Sequence, residues 1–289
     1  PHAVFSGLPR SHELLADLAA YDVIGMQTED DAANLRAALE AEGHAEAAGR
    51  VSAFPIGIDA DAFAKLAERA VEKQEMARFR RSLAGRALVI GVDRLDYSKG
   101  LPQRFTGYGQ LLARYPGHRS RVTYLQVAPV SRGDVAQYQA LRRELDELVG
   151  RINGDHAEPD WVPLRYMTRA VPRPTLAGFM RHARAGLITP LRDGMNLVAK
   201  EYVAAQDPAD PGALVLSRFA GAAPYLTGAL LVNPMDPDEI AEALDAALGM
   251  ELAERLERWR ACWGAIEGVT ALGWGESFLA ALPPVAGGA

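Results

Sequence analysis

Short apolar runs of three to six residues recur along the chain, and amphipathic stretches of about ten residues or more separate them. Runs bounded by polar turns are typical of buried strands, and the longer periodic stretches are typical of helices. From residue 85 onward the alternation is regular and predicts six strands, at 87–92, 122–127, 162–166, 185–189, 213–217 and 229–233. Because several of these runs are continuously apolar, they indicate strands that are covered on both faces, as in parallel sheets. The pattern therefore predicts an α/β fold with a Rossmann-like doubly wound parallel sheet.

Helices are predicted around these strands, at 11–20, 28–42, 61–83, 102–115, 135–153, 174–183, 197–206, 237–248, 252–263 and 274–282. A short additional strand is expected at 23–26. Ser11 and Thr28 are the residue types that cap helix N-termini, and each stands where a helix is predicted to begin. A break at 54–59 precedes the charged helix 61–83, so we expect a domain boundary between residues 55 and 85.

Length and composition fit a soluble globular protein of two ordinary domains, or of one large domain and part of another. Of the 289 residues, 49% are hydrophobic and 24% are charged, and the net charge is -6. A negative net charge argues against a general surface for nucleic acid or for anionic membranes. An anionic ligand would therefore have to be held by a local cluster of cations.

The cysteine content and the lack of targeting segments in the sequence predict a cytoplasmic protein. The single cysteine, Cys262, excludes an internal disulfide framework and fits a reducing compartment. The sequence contains no run long enough for a transmembrane helix and no signal-peptide pattern. The chain starts at Pro1 without a methionine, so we expect it to be cut from a longer protein.

Polar side chains follow the predicted strand 185–189. Asp193 lies in the turn after this strand, and helix 197–206 begins just beyond it. A strand, a polar turn and a helix N-terminus together direct backbone N–H groups at an anion. Glu201 follows eight residues after Asp193, about two helical turns on, so both carboxylates can face one cleft. The alternative is that Asp193 is only a turn residue or a helix cap, and that Glu201 is a solvated helix position.

Cations follow two other predicted strands. Arg94 and Lys99 come after strand 87–92, and Arg132 comes after strand 122–127. Arginine offers a planar fork for two phosphate oxygens and lysine a point charge, so the first pair suggests a diphosphate. Its alternative is surface salt bridges to Asp93 and Asp96. Since the carboxyl ends of parallel strands share one rim, the three loops together predict a site for a phosphorylated ligand rich in hydroxyl groups.

Other chemistries lack support. No G-x-G-x-x-G fingerprint follows strand 87–92, which argues against a nicotinamide dehydrogenase. The six histidines show no metal-ligand spacing, so no metal and no cofactor are expected. No G-x-S-x-G motif is present, so serine-based acyl transfer has no support.

At these residues the chain closely resembles the trehalose-6-phosphate synthases, which are retaining glycosyltransferases of family 20 with the GT-B fold. The matching motifs are RLDYSKG at 94–100, SRGD at 131–134, GRING at 150–154, TPLRDGMNLVAKEY at 189–202 and SRFAGA at 217–222. The likeness extends over nearly the whole chain, and the motif through Asp193 is highly specific. The implied reaction transfers glucose from UDP-glucose to glucose 6-phosphate, giving trehalose 6-phosphate and UDP.

The resemblance implies a role for each matching position. Arg94 and Lys99 would grip the donor diphosphate and, with Asp193 on the glucose, form the catalytic group. Arg132 would meet the phosphate of the acceptor. The implied donor-binding residues are Arg94, Lys99, Val171, Asp193, Gly194, Met195, Asn196, Leu197, Val198, Ala199, Lys200 and Glu201. Of these, Glu201 would bind the ribose hydroxyls, and Val171 would face the base through its backbone.

The resemblance also implies a domain plan. Residues 1–84 would be the end of the N-terminal Rossmann-like domain and the interdomain connection, 85–265 the complete donor-binding domain, and 266–289 a helix that crosses back, with a tail. The acceptor-binding part of the N-terminal domain would lie before residue 1. No nucleic acid or membrane partner is implied, and a homo-oligomer is compatible with the family. Two other hypotheses stay open, a sister enzyme such as a glucosylglycerol-phosphate synthase and a non-catalytic nucleotide-sugar-binding module.

Overall fold

The computed structural model describes residues 1–130 and 135–284. Their strands are β1 Ile24–Met26, β2 Val51–Ala53, β3 Ala87–Val92, β4 Val122–Val127, β5 Leu164–Met167, β6 Ala185–Ile188, β7 Ala213–Ser217 and β8 Leu230–Val232. Their helices are α1 His2–Phe5, α2 Ser11–Leu18, α3 Glu29–Ala41, α4 Ala45–Ala48, α5 Ala60–Val71, α6 Gln74–Leu83, α7 Leu101–Arg114, α8 Ala136–His156, α9 Arg173–His182, α10 Leu197–Ala205, α11 Pro237–Gly249, α12 Leu252–Ile266 and α13 Ala271–Ala280. None of these helices has the length and apolar character needed to cross a membrane.

Strands β3 to β8 form one parallel sheet in the order β5-β4-β3-β6-β7-β8. The chain runs outward from β3 to β5, returns to the centre at β6 and then runs outward in the other direction. The neighbouring strands β3 and β6 are therefore the point at which the strand order reverses. In open α/β sheets, ligands bind in the crevice beyond the carboxyl ends of the strands at this point.

Helices cover both faces of this sheet. On one face α7 packs between α8 and α11, and on the other α10 packs with α5, α9 and α12. The first face encloses a large apolar core in which Phe105, Leu111 and Tyr124 are fully buried. This two-sided cover explains the apolar runs of β4 and β6, in which every residue is buried. The predicted α/β fold with a doubly wound parallel sheet is confirmed.

The described chain divides into two compact units, one formed by Pro1–Ile58 together with residues 269–284, and the other by Asp59–Gly268. The break at 54–59 predicts a boundary between residues 55 and 85, and the division after Ile58 falls within that range, whereas the resemblance implies boundaries after residues 84 and 265. The charged stretch 61–83 lies between these two positions. In the structure this stretch forms two helices, α5 and α6, rather than the single helix predicted. Both pack against α9 and so belong to the second unit.

The first unit contains the two-stranded parallel sheet of β1 and β2. Leu15, Ile24 and Leu39 are buried in its small core. The sequence did not predict β2 or the four-residue helices α1 and α4, because segments this short carry too little periodicity. Thr28 caps α3 as predicted, accepting a hydrogen bond from the backbone N–H of Asp31 at 3.1 Å.

The predicted capping role of Ser11 is wrong. Ser11 is the first residue of α2, and the N-cap position is taken by Arg10 in a left-handed conformation with φ of 61°. The Arg10 side chain makes no capping hydrogen bond.

Candidate functional site

Two loops meet beyond the carboxyl ends of β3 and β6. The β3 loop, residues 93–100, carries Arg94 and Lys99, and the β6 loop, residues 189–196, carries Asp193. Backbone hydrogen bonds join them, because the N–H groups of Leu191 and Arg192 both donate to the carbonyl oxygen of Ser98, at 2.8 and 3.3 Å. The residues that the sequence selected on two separate motifs therefore lie at one place, the switch point of the sheet.

Gly100 permits this close approach. It has φ of +64°, a left-handed conformation that favours glycine, and it directly precedes α7. A Cβ atom added there would lie 2.5 Å from the carbonyl oxygen of Thr189. Any side chain at this position would therefore push the two loops apart.

Lys99 and Asp193 form the central contact of the site. The Lys99 ammonium donates to Asp193 Oδ2 at 2.5 Å, and the two side chains are 16% and 18% exposed. The Asn196 amide donates to the same oxygen at 3.0 Å. A cation and a carboxylate thus meet, each still partly exposed, where the two loops join, and the Arg94 side chain lies exposed on the β3 loop.

This geometry also bears on the surface salt-bridge alternative. Lys99 pairs with Asp193 and not with the acids of its own loop, and Asp93 pairs with Arg104. Burial tends to raise the pKa of Asp96, but hydrogen bonds from Ser98 and Tyr138, together with the charge of Arg94, hold it below its usual value. The carboxylates of the β3 loop therefore mainly order the loop.

The N-terminus of α10 opens onto the same place. Asn196, in a left-handed conformation, caps this helix by accepting a hydrogen bond from the N–H of Ala199 at 2.9 Å. A helix N-terminus carries partial positive charge and directs N–H groups outward, which favours an anion. Gly194 is exposed, and a Cβ atom there would meet nothing within 4 Å. The glycine leaves room that the neighbouring residues do not fill.

The side chains of α10 beyond its first turn are partly withdrawn from water. The Glu201 carboxylate accepts a hydrogen bond from Arg173 at 3.1 Å and is 23% exposed, so it is not a freely solvated helix position. Burial raises its pKa, and Arg173 opposes the rise. Lys200 is buried beside the Tyr225 ring, and burial lowers its pKa to about 8.

The remaining predicted residues divide into two groups. Val171 is half-buried in the segment between β5 and α9, and Met195, Leu197, Val198 and Ala199 occupy the turn and the first turn of α10. Arg132 lies outside the described residues. Over residues 1–130 and 135–284, no group of three or more His, Cys, Asp or Glu side chains is placed to hold a metal ion.

The sequence did not single out Arg104, which lies on α7 directly below the two loops. Its side chain is fully buried and donates to Asp93 at 2.5 Å, to Thr189 Oγ1 at 3.0 Å and to the Lys99 carbonyl oxygen at 3.2 Å. A signal existed, because Arg104 falls on the apolar face of α7, three residues after the buried Leu101. A charged residue at a core position of a helix is unusual without a partner.

This arrangement of fold and site defines a class, namely doubly wound α/β proteins that present cations, a carboxylate and a helix N-terminus at the topological switch point. The particular family follows from comparison with known proteins. Residues 1–283 match glycosyltransferase family 20, and the chain belongs to that family.

Similar proteins are trehalose-6-phosphate synthases. That of Sinorhizobium fredii is 49% identical over 270 residues, which cover 90% of this chain and 58% of the relative. A crystal structure from Burkholderia xenovorans in complex with glucose 6-phosphate is 42% identical with a TM-score of 0.93, over 97% of this chain and 65% of that one. A structure from Escherichia coli bound with UDP-2-fluoro glucose is also 42% identical, with a TM-score of 0.91 over 98% and 65%. These similarities confirm the GT-B type fold.

The chain spans about three fifths of the length of the curated relatives that it matches, as the 58% and 61% covered in two of them indicate.

Proposed function

We propose that this chain is the donor-binding part of a trehalose-6-phosphate synthase, which transfers glucose with retention from UDP-glucose to glucose 6-phosphate. The observation that carries the proposal is the meeting of Lys99 and Asp193 at 2.5 Å, at the switch point of the sheet. Family membership supports it, as do the glucose 6-phosphate and UDP-2-fluoro glucose bound by similar proteins.

In this proposal the donor lies across the β3 loop and the β6 loop. The diphosphate lies on the β3 loop, held by Lys99 and by Arg94, whose exposed side chain is available to a ligand. The glucose lies on the β6 loop, with hydroxyl groups on Asp193 and on the backbone of Gly194–Asn196. The open space at Gly194 suits a sugar close to the backbone. Arg132 binds the acceptor phosphate.

The nucleotide lies along the first two turns of α10. The ribose hydroxyls donate to Glu201, which Arg173 keeps oriented, and the base meets the backbone at Val171. Leu197, Val198, Ala199 and Lys200 complete this part of the site. UDP-glucose is a substrate, and we propose no metal and no cofactor.

The chemical step requires no nucleophile from the protein. The acceptor hydroxyl attacks on the face from which the diphosphate departs, and the leaving phosphate takes the proton. Negative charge grows on the diphosphate in the transition state, where Arg94 and Lys99 stabilise it electrostatically. Because Lys99 pairs with Asp193, the donor would meet both charges at one place, the cation with its diphosphate and the carboxylate with its glucose.

Calorimetric titration of the chain with UDP, GDP and UDP-glucose tests the donor site. We expect binding of UDP and UDP-glucose, weakened about 10- to 100-fold in Arg94→Ala and Glu201→Ala, since each loses hydrogen bonds to a charged group. Arg114→Ala is the matched control, because Arg114 pairs with Asp238 and Glu242 on the surface of α11. Absence of UDP binding by a folded chain would refute the proposal.

A second assay separates the enzyme from a binding module. The protein is incubated with UDP-glucose and glucose 6-phosphate, and released UDP and trehalose 6-phosphate are measured. Transfer supports the synthase. Binding of UDP-glucose by the whole protein without transfer would support the non-catalytic module. The cytoplasmic location and a homo-oligomeric state stay predictions.

A further inference from the structure

Arg104 bonds to four residues in three separate segments of the chain, namely the β3 loop, β4 and the β6 loop. Its Nη1 donates to Asp93 just after β3 and to Gln126 of β4 at 3.1 Å, its Nε to Thr189 just after β6, and its Nη2 to the Lys99 carbonyl. The side chain is fully buried, and it reaches the base of both loops of the candidate site.

We infer that Arg104 is the positioning residue of the donor site, whose guanidinium clamps the β3 and β6 loops in the register that brings Lys99 to Asp193. This inference rests on the proposed function for its ligand, but the clamp itself is a property of the free chain. Guanidinium is suited to the task because its planar fork presents five N–H donors in fixed directions. A lysine ammonium has no such fork.

Gly91 in β3 leaves the space that the hydrogen-bonded side chains around Arg104 occupy. A Cβ atom at Gly91 would lie 2.3 Å from Gln126 Oε1, 2.7 Å from the Tyr124 hydroxyl and 3.1 Å from Arg104 Nη1. The Tyr124 hydroxyl in turn donates to Gln126 Oε1. Glycine at this position of β3 is explained by the space that the side chains around Arg104 occupy. A Gly91→Ala substitution therefore disturbs the clamp without removing a charged group.

The buried Asp93–Arg104 pair allows the effect of Arg104 on protein stability to be separated from its effect on loop position. Burial raises the pKa of Asp93, and the Arg104 guanidinium opposes the rise. Removing Arg104 alone therefore leaves a buried carboxyl without its partner, which is strongly destabilising, whereas replacing both members of a buried pair by neutral residues is often tolerated. Asp93→Asn combined with Arg104→Met should thus recover stability but not the fork that joins the loops.

The chain also offers a matched control. Arg255 is a second buried arginine, which bonds to Asp210, to the Pro211 carbonyl oxygen and to the Met250 carbonyl oxygen at 3.2 Å. Pro211 precedes β7, so these bonds lie at the amino edge of the sheet, away from the two loops. Arg255→Met should lower stability without altering the donor site.

The experiment compares Arg104→Met, Arg104→Lys, Gly91→Ala, the Asp93→Asn/Arg104→Met double variant and Arg255→Met. Three quantities are measured in each: the melting temperature, hydrogen exchange at the amides of Leu191 and Arg192 in the free chain, and the Kd for UDP. Those two amides report on the clamp because they bond to Ser98 across the loops.

We expect faster exchange at both amides in all four clamp variants, and UDP binding weakened by about tenfold or more, since a displaced Lys99 would lose charge-assisted hydrogen bonds to the diphosphate. The double variant should recover melting temperature relative to Arg104→Met while its exchange stays fast. Arg255→Met should melt lower with unchanged exchange and unchanged Kd.

Two results would overturn the clamp. One is recovery of amide protection and UDP affinity together with melting temperature in the double variant, because Arg104 would then act only through stability. The other is wild-type protection in Arg104→Lys and Gly91→Ala, which also covers the case in which Arg104→Met does not fold. If the wild-type chain fails to bind UDP, the proposed function fails, and the exchange measurements still decide the clamp.

Discussion

The two edges of the six-stranded sheet use charged side chains in different ways. At the amino edge Arg86 pairs with Asp160, whose side chain is 79% exposed, and also donates to the Ser120 carbonyl oxygen. At the carboxyl edge Lys99 and Asp193 meet at low exposure above the buried Arg104. Both edges carry cations of low exposure, but in the Lys99–Asp193 pair the carboxylate is also withdrawn from water, and a helix N-terminus lies beside it.

This difference helps to separate charged side chains that stabilise the fold from those that are placed to bind a ligand. Cations at the amino edge, such as the largely buried Arg86 and Arg255, bond to loop carbonyl oxygens and to acids that stay exposed, so their contacts serve the fold. A partly withdrawn ion pair loses much of its hydration and so gains little for the fold. Its position at the switch point fits the proposed function, in which the donor contacts both charges.

The largest expected effect is on turnover. Arg94→Ala or Lys99→Ala should each lower kcat about 10²–10³-fold, because under the proposed function each removes a cation that stabilises charge on the leaving diphosphate. Asp193→Ala should raise the KM for UDP-glucose more than Arg94→Ala does. The measurement is steady-state UDP release, with Arg184→Ala at the amino edge as the control. Equal changes in kcat for Arg94→Ala and Arg184→Ala would remove the distinction between the edges.

Two glycines provide a sharper comparison of stability. Gly85, before β3, and Gly100, after it, both have positive φ, but a Cβ meets nothing at Gly85 and the Thr189 carbonyl at Gly100. Gly85→Ala should cost about 1–2 kcal/mol from conformation alone. Gly100→Ala should cost about 1–3 kcal/mol more from the clash. Chemical denaturation measures both, and equal losses would contradict the close packing of the two loops.

Gly194→Ala should separate sugar recognition from folding. Its added methyl group meets no atom of the protein, and its φ is not positive, so stability should hold or rise by about 0.4–1 kcal/mol. The affinity for UDP-glucose should fall while the affinity for UDP is kept, because the methyl group would occupy space proposed for glucose. Parallel titrations with the two ligands check this, and an equal fall for both would place the sugar elsewhere.

The smallest effect on the candidate site is expected from His182, a titratable residue at the amino edge of the sheet. Burial, with the charges of Arg80 and Arg181, lowers the pKa of His182 from 6.5 to about 4. The unfolded chain therefore takes up this proton first, and the folded chain loses stability as pH falls from 6.5 toward 4. His182→Gln should lose less stability than the wild type over this range. Denaturation at pH 7 and pH 5 measures the difference, and UDP binding should not change.

Much of the fold was predictable because its signals are local. The apolar runs of β3 and β4 coincide with the observed strands, and Thr28 caps α3 as its residue type suggests. The break between α5 and α6 was missed because no glycine or proline marks it, and packing on α9 decides where the two helices lie. Local sequence specifies periodicity, whereas helix breaks of this kind depend on what the helix packs against.

The candidate site was predictable in part for the same reason. The motifs at 94–100 and 189–202 selected Arg94, Lys99 and Asp193, and parallel topology alone places both loops on one rim. The sequence did not reveal that Lys99 pairs with Asp193, 94 residues away. Nor did it reveal the partners of Arg104, although its position on an apolar helix face was a signal.

The α/β class, the family and the residue types at the rim were all accessible from the linear chain, since they follow from periodicity and from motifs. Tertiary structure alone decided that β3 lies beside β6, and with it the pairing of the two loops and the clamp beneath them. The physical reason is that strand order and buried ion pairs join residues far apart in the chain, and their energies depend on burial and geometry that no local pattern encodes.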